Sequence, residues 1–291
     1  MCNGKVALIT GSSRGIGRGC AYALAKTGYD IAIHHSKSLD EAEKTLEEVK
    51  AMGVRAVIIQ GDMGDPNVPG RLVNETISQL GRLDVLVSNA GSTRFEGILE
   101  ITPEVMDRIY AVNFKGMILV AQAAARYMVE NGIKGSIIFN TSIRSFSPHS
   151  NDGVYGSLKA GINRIIKSLA VDLGRYGIRV NGFSPGVTNV RTPDPEEEAK
   201  DPFYKNAHRF IPLRRPGYAD DMGGVVKWLA SEDASYVTGQ VIRVDGGLSA
   251  VGVPENILEL VDLFEIKEWL NIDEKFIKEF EDGMRLFRLP S

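Results

Sequence analysis

Apolar residues in this chain arrive in short unbroken runs, separated by longer stretches in which they recur every three or four positions. The runs fall at 6–10, 31–34, 55–60, 85–88, 136–140, 179–183 and 241–244, each short and rich in β-branched residues. The longer stretches predict helices near 16–28, 39–52, 66–80, 103–130, 154–176 and 218–231. A strand that is apolar throughout has to be covered on both faces. A parallel neighbour has to be reached by a crossover of about a dozen residues, usually a helix. The alternation therefore predicts an α/β fold, a doubly wound parallel β-sheet with helices on both faces.

One change of composition breaks this pattern. Residues 251–291 contain ten acidic and five basic residues, with apolar positions at Ile257, Leu258, Leu260, Val261 and Phe264, then Phe276, Ile277, Phe280, Met284 and Phe287. That spacing suggests two amphipathic helices. The expectation is a domain over 1–250 followed by a helical C-terminal extension over 251–291, docked on its parent domain or on a neighbouring subunit.

Composition narrows the partners. With 43% hydrophobic and 24% charged residues and a net charge of −3, nothing general attracts nucleic acid or an anionic membrane. No run of about 18 apolar residues exists, and the N-terminus lacks the basic, apolar, small-residue order of a signal peptide. A cytoplasmic protein without membrane or nucleic-acid partners is expected. Cys2, Cys20 and four scattered histidines supply neither a disulfide framework nor a metal-ligand set. The sequons at Asn74 and Asn140 then read as chance matches.

The first apolar run leads into "TGSSRGIGRG" at 10–19. In a doubly wound sheet, ligands lie beyond the carboxyl ends of the strands, where a helix N-terminus offers unpaired N–H groups and the positive end of its dipole. Gly11, Gly15 and Gly17 would permit a tight turn, close approach to a pyrophosphate and close packing of helix on strand. A glycine-rich turn without a ligand has the same pattern, so this signal is weak by itself. The nucleotide-binding pattern GxxxxGK[ST] is absent.

Further along, Asn113 stands in "YAVNFKG", Ser142 ends "SIIFNTS", and Tyr155 and Lys159 stand in "VYGSLKAG". Tyr155 and Lys159 are one helical turn apart and share a face. An ammonium beside a phenol favours the phenolate, so such a tyrosine can exchange a proton with a substrate oxygen. Ser142 can hydrogen-bond the same oxygen, and Asn113 can hold water near the lysine. A tyrosine and a lysine at this spacing are also common on helix surfaces.

Taken together, these stretches resemble the single-domain branch of the short-chain dehydrogenase/reductase family, in its 3-oxoacyl-reductase-like and glucose-dehydrogenase-like forms. The phosphate loop "TGSSRGIG", "GDM" with Asp62, "SNAG" at 88–91, the Asn113, Ser142, Tyr155, Lys159 tetrad, "RVNGFSPG" at 179–186 and "WLASEDASYVTGQVIRVDGG" at 228–247 follow in the family's order. The resemblance implies a Rossmann-type fold and hydride transfer between a nicotinamide and a carbonyl carbon. Tyr155 is then the general acid or base, and Lys159 lowers its pKa and contacts the nicotinamide ribose. Ser142 polarises the carbonyl, and Asn113 anchors a relay water. The implied cofactor contacts are Gly11, Ser13, Arg14, Gly15, Ile16, Gly17, His35, Ser36, Lys37, Asp62, Met63, Asn89, Ala90, Gly91, Tyr155, Lys159, Pro185, Gly186, Val187 and Thr188.

Members that prefer NAD carry a carboxylate at the end of the second strand. Here His35, Ser36 and Lys37 follow, and with Arg14 they offer cationic and hydroxyl donors to a 2′-phosphate, favouring NADP(H) over NAD(H). The same residues can also be solvated loop positions. The family's threonine five residues beyond the proline is Val190 here, so Thr188 is the expected nicotinamide contact. Arg94, Arg144, His149 and Asn151 would form a donor-rich pocket for a sugar-like, polyol-like or carboxylated substrate, or Arg144 turns outward into an ion pair. Phe203, Tyr204 and His208, in a substrate loop at 189–215, are further candidates for its wall. The expected function is an NADP(H)-dependent ketone reductase or secondary-alcohol dehydrogenase, built as a homotetramer or homodimer. The alternatives are a 3-oxoacyl-thioester reductase of fatty-acid synthesis and a non-catalytic dinucleotide-sensing protein.

Overall fold

A computed structural model describes residues 4–190, 200, 204 and 207–250. The described residues fall in two compact units, 4–190 with 217–245, and 200, 204 and 207–216 with 246–250.

The first unit is built on a seven-stranded, wholly parallel sheet. Its strands are β1 (Val6–Ile9), β2 (Asp30–His35), β3 (Ala56–Gln60), β4 (Val85–Ser88), β5 (Ser136–Asn140), β6 (Arg179–Pro185) and β9 (Val241–Val244), in the order β3-β2-β1-β4-β5-β6-β9. A two-residue pair, β7 (Thr188–Asn189) with β8 (Gly217–Tyr218), lies outside it. The helices of this unit are α1 (Gly15–Ala25), α2 (Leu39–Ala51), α3 (Val68–Leu80), α4 (Pro103–Tyr110), α5 (Met117–Glu130), α6 (Gly153–Gly174) and α8 (Ala219–Ala230). This is the doubly wound arrangement that the sequence predicts. In the second unit, the short helix α7 (Ala207–Phe210) is followed by a turn that Leu213 N–H ties to the Gly246 carbonyl at 3.1 Å.

Alternation along each strand divides its side chains between two apolar layers. Leu8, Leu86, Ile137, Phe139 and Val180 pack with Leu72, Val120, Ile162 and Ile166 of α3, α5 and α6. On the other face Ile9, Ile31, Ile33, Val87 and Phe183 pack with Leu24, Val226 and Leu229 of α1 and α8. Burial on both faces is why the strand segments read as unbroken apolar runs.

Two segments differ from the sequence expectation. The stretch 103–130 is not a single α-helix, because Ala111–Gly116 forms a π-helical turn between α4 and α5. The wider turn adds a residue without disturbing the apolar face, so spacing alone does not reveal it. It lies where a Cβ on Gly116 would stand 2.3 Å from the Met63 carbonyl, a close approach that only glycine permits. Secondly, β6 continues to Pro185, held by its pairing of Gly182–Pro185 with β9.

Candidate active site

The sheet order reverses between β1 and β4, so the crevice for a ligand opens at their carboxyl ends. Gly11 and Gly15 adopt φ of +68° and +56°, the left-handed region that side chains disfavour. A Cβ on Gly17 would stand 2.2 Å from the Gly11 carbonyl, so α1 can begin against the loop only with glycine there. Arg14 occupies the N-cap in extended conformation and makes no side-chain cap, so among the described residues the first amides of α1 have no side-chain acceptor. The loop is braced on both sides. Thr10 Oγ1 accepts from the Asn89 and Ala90 amides, each at 2.9 Å, and Asn89 Nδ2 donates to the Thr10 carbonyl at 2.8 Å. Gly11 N–H donates to His34 Nδ1 at 2.8 Å.

At the end of β2, His35 is buried with its Nδ1 lacking a partner, while Ser36 and Lys37 are exposed. Burial lowers the His35 pKa, against a smaller opposing effect of Glu43. The Asp62 carboxylate lies across the Arg108 guanidinium at 2.9 and 3.0 Å and accepts from Gly64 N–H, which hold its pKa below the usual range. Met63 beside it is buried. The end of β2 thus carries cationic, hydroxyl and imidazole groups, and the N-terminus of α1 has no N-cap side-chain bond.

On the facing side, α6 presents Tyr155 and Lys159. Lys159 is buried, donates to the Asn140 carbonyl at 2.8 Å and stands 5.8 Å from the Tyr155 ring centre. Burial lowers its pKa to about 8. Burial raises that of Tyr155, an effect that the hydroxyls of Ser142 and Thr93 and the charge of Arg144 offset in part. Without a ligand, therefore, the neutral phenol is favoured, and the lysine is engaged with Asn140. Ser142 Oγ accepts from the Arg144 amide at 3.2 Å and directs its own O–H toward the Tyr155 phenol. Asn113, in the π turn, clasps Ser92: its Oδ1 accepts from Ser92 N–H at 2.7 Å and its Nδ2 donates to the Ser92 carbonyl at 2.6 Å. That clasp fixes the Asn89–Gly91 turn beside the site.

A family model described as enoyl-(acyl carrier protein) reductase matches residues 11–249. L-rhamnose 1-dehydrogenase (NAD(P)(+)) of Sphingomonas sp. (strain SKA58) is 36% identical over 250 residues, 85% of this chain and 97% of the relative. The chain belongs to the short-chain dehydrogenase/reductase family. It is similar in structure to the acetoin dehydrogenase YohF of Salmonella typhimurium, with a TM-score of 0.80 and 34% identity over 86% of this chain and 98% of the other. A short chain dehydrogenase from Burkholderia cenocepacia, solved in complex with NADP, has a TM-score of 0.78 and 32% identity over 85% of this chain and 98% of that one. Membership makes the protein an oxidoreductase acting on alcohols and ketones with a nicotinamide dinucleotide.

The remaining sequence candidates are distributed around this centre. Gly186 packs so that a Cβ would stand 2.7 Å from Asp245, and Thr188 Oγ1 donates to the Gly186 carbonyl at 3.1 Å. Val190, where the family's threonine is missing, lies against the phosphate loop, 3.3 Å from the Cβ position of Gly15. Arg144 pairs with Asp152 at 3.7 Å and lies over the Phe95 ring at 5.7 Å. Phe95 meets Tyr155 edge-on at 5.8 Å. Arg94 is more exposed and pairs with Glu96. His149 Nδ1 bonds the neighbouring Ser150 carbonyl, and Asn151 turns back at φ +62°. Phe203 and the side chain of His208 lie outside the described residues, and Tyr204 belongs to the second unit.

Sequence reasoning missed His34, Thr93, Phe95, Asn140 and Asp152. His34, Thr93, Phe95 and Asn140 act through neighbours distant in the chain, whereas Asp152 meets His149 and Arg144 within eight residues.

Proposed function

We propose that this protein interconverts a ketone and a secondary alcohol on a polar small molecule, sugar-like, polyol-like or hydroxy-acid-like, with NADP(H) in preference to NAD(H). The observation that carries this reading is the convergence of Tyr155, Ser142 and buried Lys159, in a chain whose α1 begins on a glycine loop with no N-cap side-chain bond. The dinucleotide, when bound, supplies or accepts the hydride. Gly11, Ser13, Gly15, Ile16 and Gly17 hold its pyrophosphate, and Asp62, Met63 and Asn89–Gly91 its adenosine half. Residues 185–188 hold its nicotinamide end. Tyr155 gives its proton to the substrate oxygen in reduction and takes it back in oxidation. Ser142 donates to the same oxygen, and Lys159 keeps a positive charge behind the phenol. The NADP(H) preference rests on Arg14, Ser36, Lys37 and the unpartnered Nδ1 of His35.

No described helix is long and apolar enough to cross a membrane, and we propose a cytoplasmic location on the composition set out above. Met106 and Tyr110 of α4 and Val171 of α6 are exposed, which supports a homodimer or homotetramer through these helices.

The test is Tyr155→Phe. Loss of the hydroxyl should lower carbonyl-dependent NADPH oxidation at least ~100-fold while dinucleotide binding persists. Full activity in the variant overturns the mechanism. Binding of dinucleotide with no turnover on any carbonyl by the unaltered protein favours the sensing alternative. The match of residues 11–249 to the enoyl-(acyl carrier protein) reductase family keeps a 3-oxoacyl-thioester reductase as second reading, and a faster rate on such thioesters than on any sugar or polyol would establish it.

A further inference from the structure

Asp152 and Arg144 are an unusual pair to find beside a catalytic tyrosine. The Asp152 side chain is only 5% exposed and the Arg144 side chain 20%, yet their closest approach, 3.7 Å between Nη1 and Oδ2, is too long for a hydrogen bond. The carboxylate receives one hydrogen bond, from the His149 amide at 3.1 Å to the same Oδ2. Among the described residues the guanidinium has no hydrogen-bond acceptor, and it rests over the Phe95 ring. A carboxylate accepts about four hydrogen bonds and a guanidinium donates five, so most of the capacity of both groups is unspent within the fold. A buried carboxylate left in this state, such as that of Asp152, loses stability unless water or a ligand completes it.

Both groups act at the reacting end of the site. Arg144 follows Ser142 by two residues, and its amide sets the direction of the Ser142 hydroxyl. Asp152 is the residue before α6, three positions ahead of Tyr155. Both charges act on the Tyr155 phenol in opposite directions, so they lie within electrostatic reach of it. The ring of Phe95, half exposed, provides an apolar surface that meets both Arg144 and Tyr155.

We infer that Arg144 and Asp152 together read the hydroxyl groups flanking the reacting carbon of a neutral, polyhydroxylated substrate. A hydroxyl set between them donates to the carboxylate and accepts from the guanidinium, and a neighbouring hydroxyl uses the remaining donors. The apolar C–H face of such a molecule rests on Phe95. A carboxylated substrate gains nothing comparable, because the Arg144 charge is already balanced by Asp152, and that of Arg94 by Glu96 at 3.7 Å. This narrows the proposed dehydrogenase reading, on which it rests, from polar molecules in general to neutral ones. Arg144 and Asp152 are specificity-determining residues.

The experiment measures kcat/KM of the full-length protein, with NADP+ and with NAD+, on aldoses and alditols, on their singly deoxygenated analogues, and on the matched uronates and aldonates. The unaltered protein should prefer the neutral compound to its anionic counterpart at least ~10-fold, and lose ~100-fold when a flanking hydroxyl is absent. In Asp152→Asn the deoxy discrimination should shrink at least ~10-fold, and the uronate, now facing an unbalanced arginine, should overtake its neutral counterpart. In Arg144→Gln the deoxy discrimination should shrink as well, with the uronate rejected more strongly. NADPH binding by fluorescence shows which variants are folded. If one is not, the other and the neutral-to-anion ratio of the unaltered protein decide.

A preference of the unaltered protein for carboxylates, deoxy discrimination unchanged in the folded variants, or turnover confined to simple ketones or thioesters overturns this inference and leaves the dehydrogenase reading standing. No turnover on any alcohol or carbonyl removes both.

Discussion

The Gly11 amide donates to His34 Nδ1 at 2.8 Å, which requires that nitrogen to be unprotonated and places the ring proton on Nε2, 2.9 Å from the Gly61 carbonyl. His34 thus ties the phosphate loop after β1 to the turn after β3 in one defined tautomer. Burial lowers its pKa to about 4, from an ordinary value of 6.5. Between those values the unfolded chain takes up a proton that the folded chain refuses. Stability is therefore complete above pH 6.5 and falls as the pH drops toward 4, by about 3 kcal/mol over the whole window. In urea titrations, His34→Gln should cost about 1 kcal/mol at pH 7.5, since the amide can reproduce both bonds, and should flatten the acid decline. An equally steep decline in the variant would assign it to other groups.

Such ties are what the sequence conceals. Strand and helix order were legible because each β-strand is buried on both faces, which leaves unbroken runs such as Val6–Ile9. The nucleotide loop and the Tyr155–Lys159 pair were legible because each is local, within one turn or one helix. His34 is 23 residues from Gly11, and Asn113 is 21 from Ser92, so their pairing depends on the fold rather than on spacing. The π turn was hidden for the opposite reason, being a local backbone change that leaves the apolar face intact. Arg144 shows the same limit in chemical terms, because its charge was readable and the partner that neutralises it was not.

Gly17 and Gly70 separate the two uses of helical glycine. A Cβ on Gly17 meets the Gly11 carbonyl at 2.2 Å and Asn89 Nδ2 at 2.7 Å, and neither the backbone oxygen nor the thrice-bonded Asn89 can yield cheaply. Gly17→Ala should lose about 2–3 kcal/mol and bind NADPH at least ~10-fold more weakly. A Cβ on Gly70, within α3, meets nothing within 4 Å, and Gly70→Ala should gain about 0.5–1 kcal/mol. Chemical denaturation of both variants checks the difference, and a neutral Gly17→Ala would show that the loop can move away from α1.

Arg14 tests the dinucleotide preference. It is exposed at the N-cap of α1, and its side chain caps nothing. If it binds a 2′-phosphate, its removal costs a charge-assisted hydrogen bond only in the phosphorylated cofactor. Arg14→Ala should raise the KM for NADPH about 10-fold or more and leave that for NADH within about twofold. An unchanged ratio of the two would exclude Arg14 from phosphate recognition and leave the preference to His35, Ser36 and Lys37.

Lys159 should show a conflict between stability and activity. Burial holds its pKa at about 8, against an ordinary 10.5, so at pH 7 the folded chain carries a charge that its surroundings disfavour. The unfolded chain holds the proton more tightly. The penalty, about 3 kcal/mol, is complete below pH 8 and disappears as the pH rises through 10.5. Lys159→Met removes the charge and forfeits the 2.8 Å bond to the Asn140 carbonyl, which offsets part of the gain. The variant should be about 1–2 kcal/mol more stable than the parent at pH 7, lose that advantage by pH 10.5, and retain less than ~1% of the activity. Denaturation at the two pH values, with turnover measured alongside, decides the matter. A variant less stable at pH 7 would mean that the ammonium is better solvated by its neighbours than its burial implies.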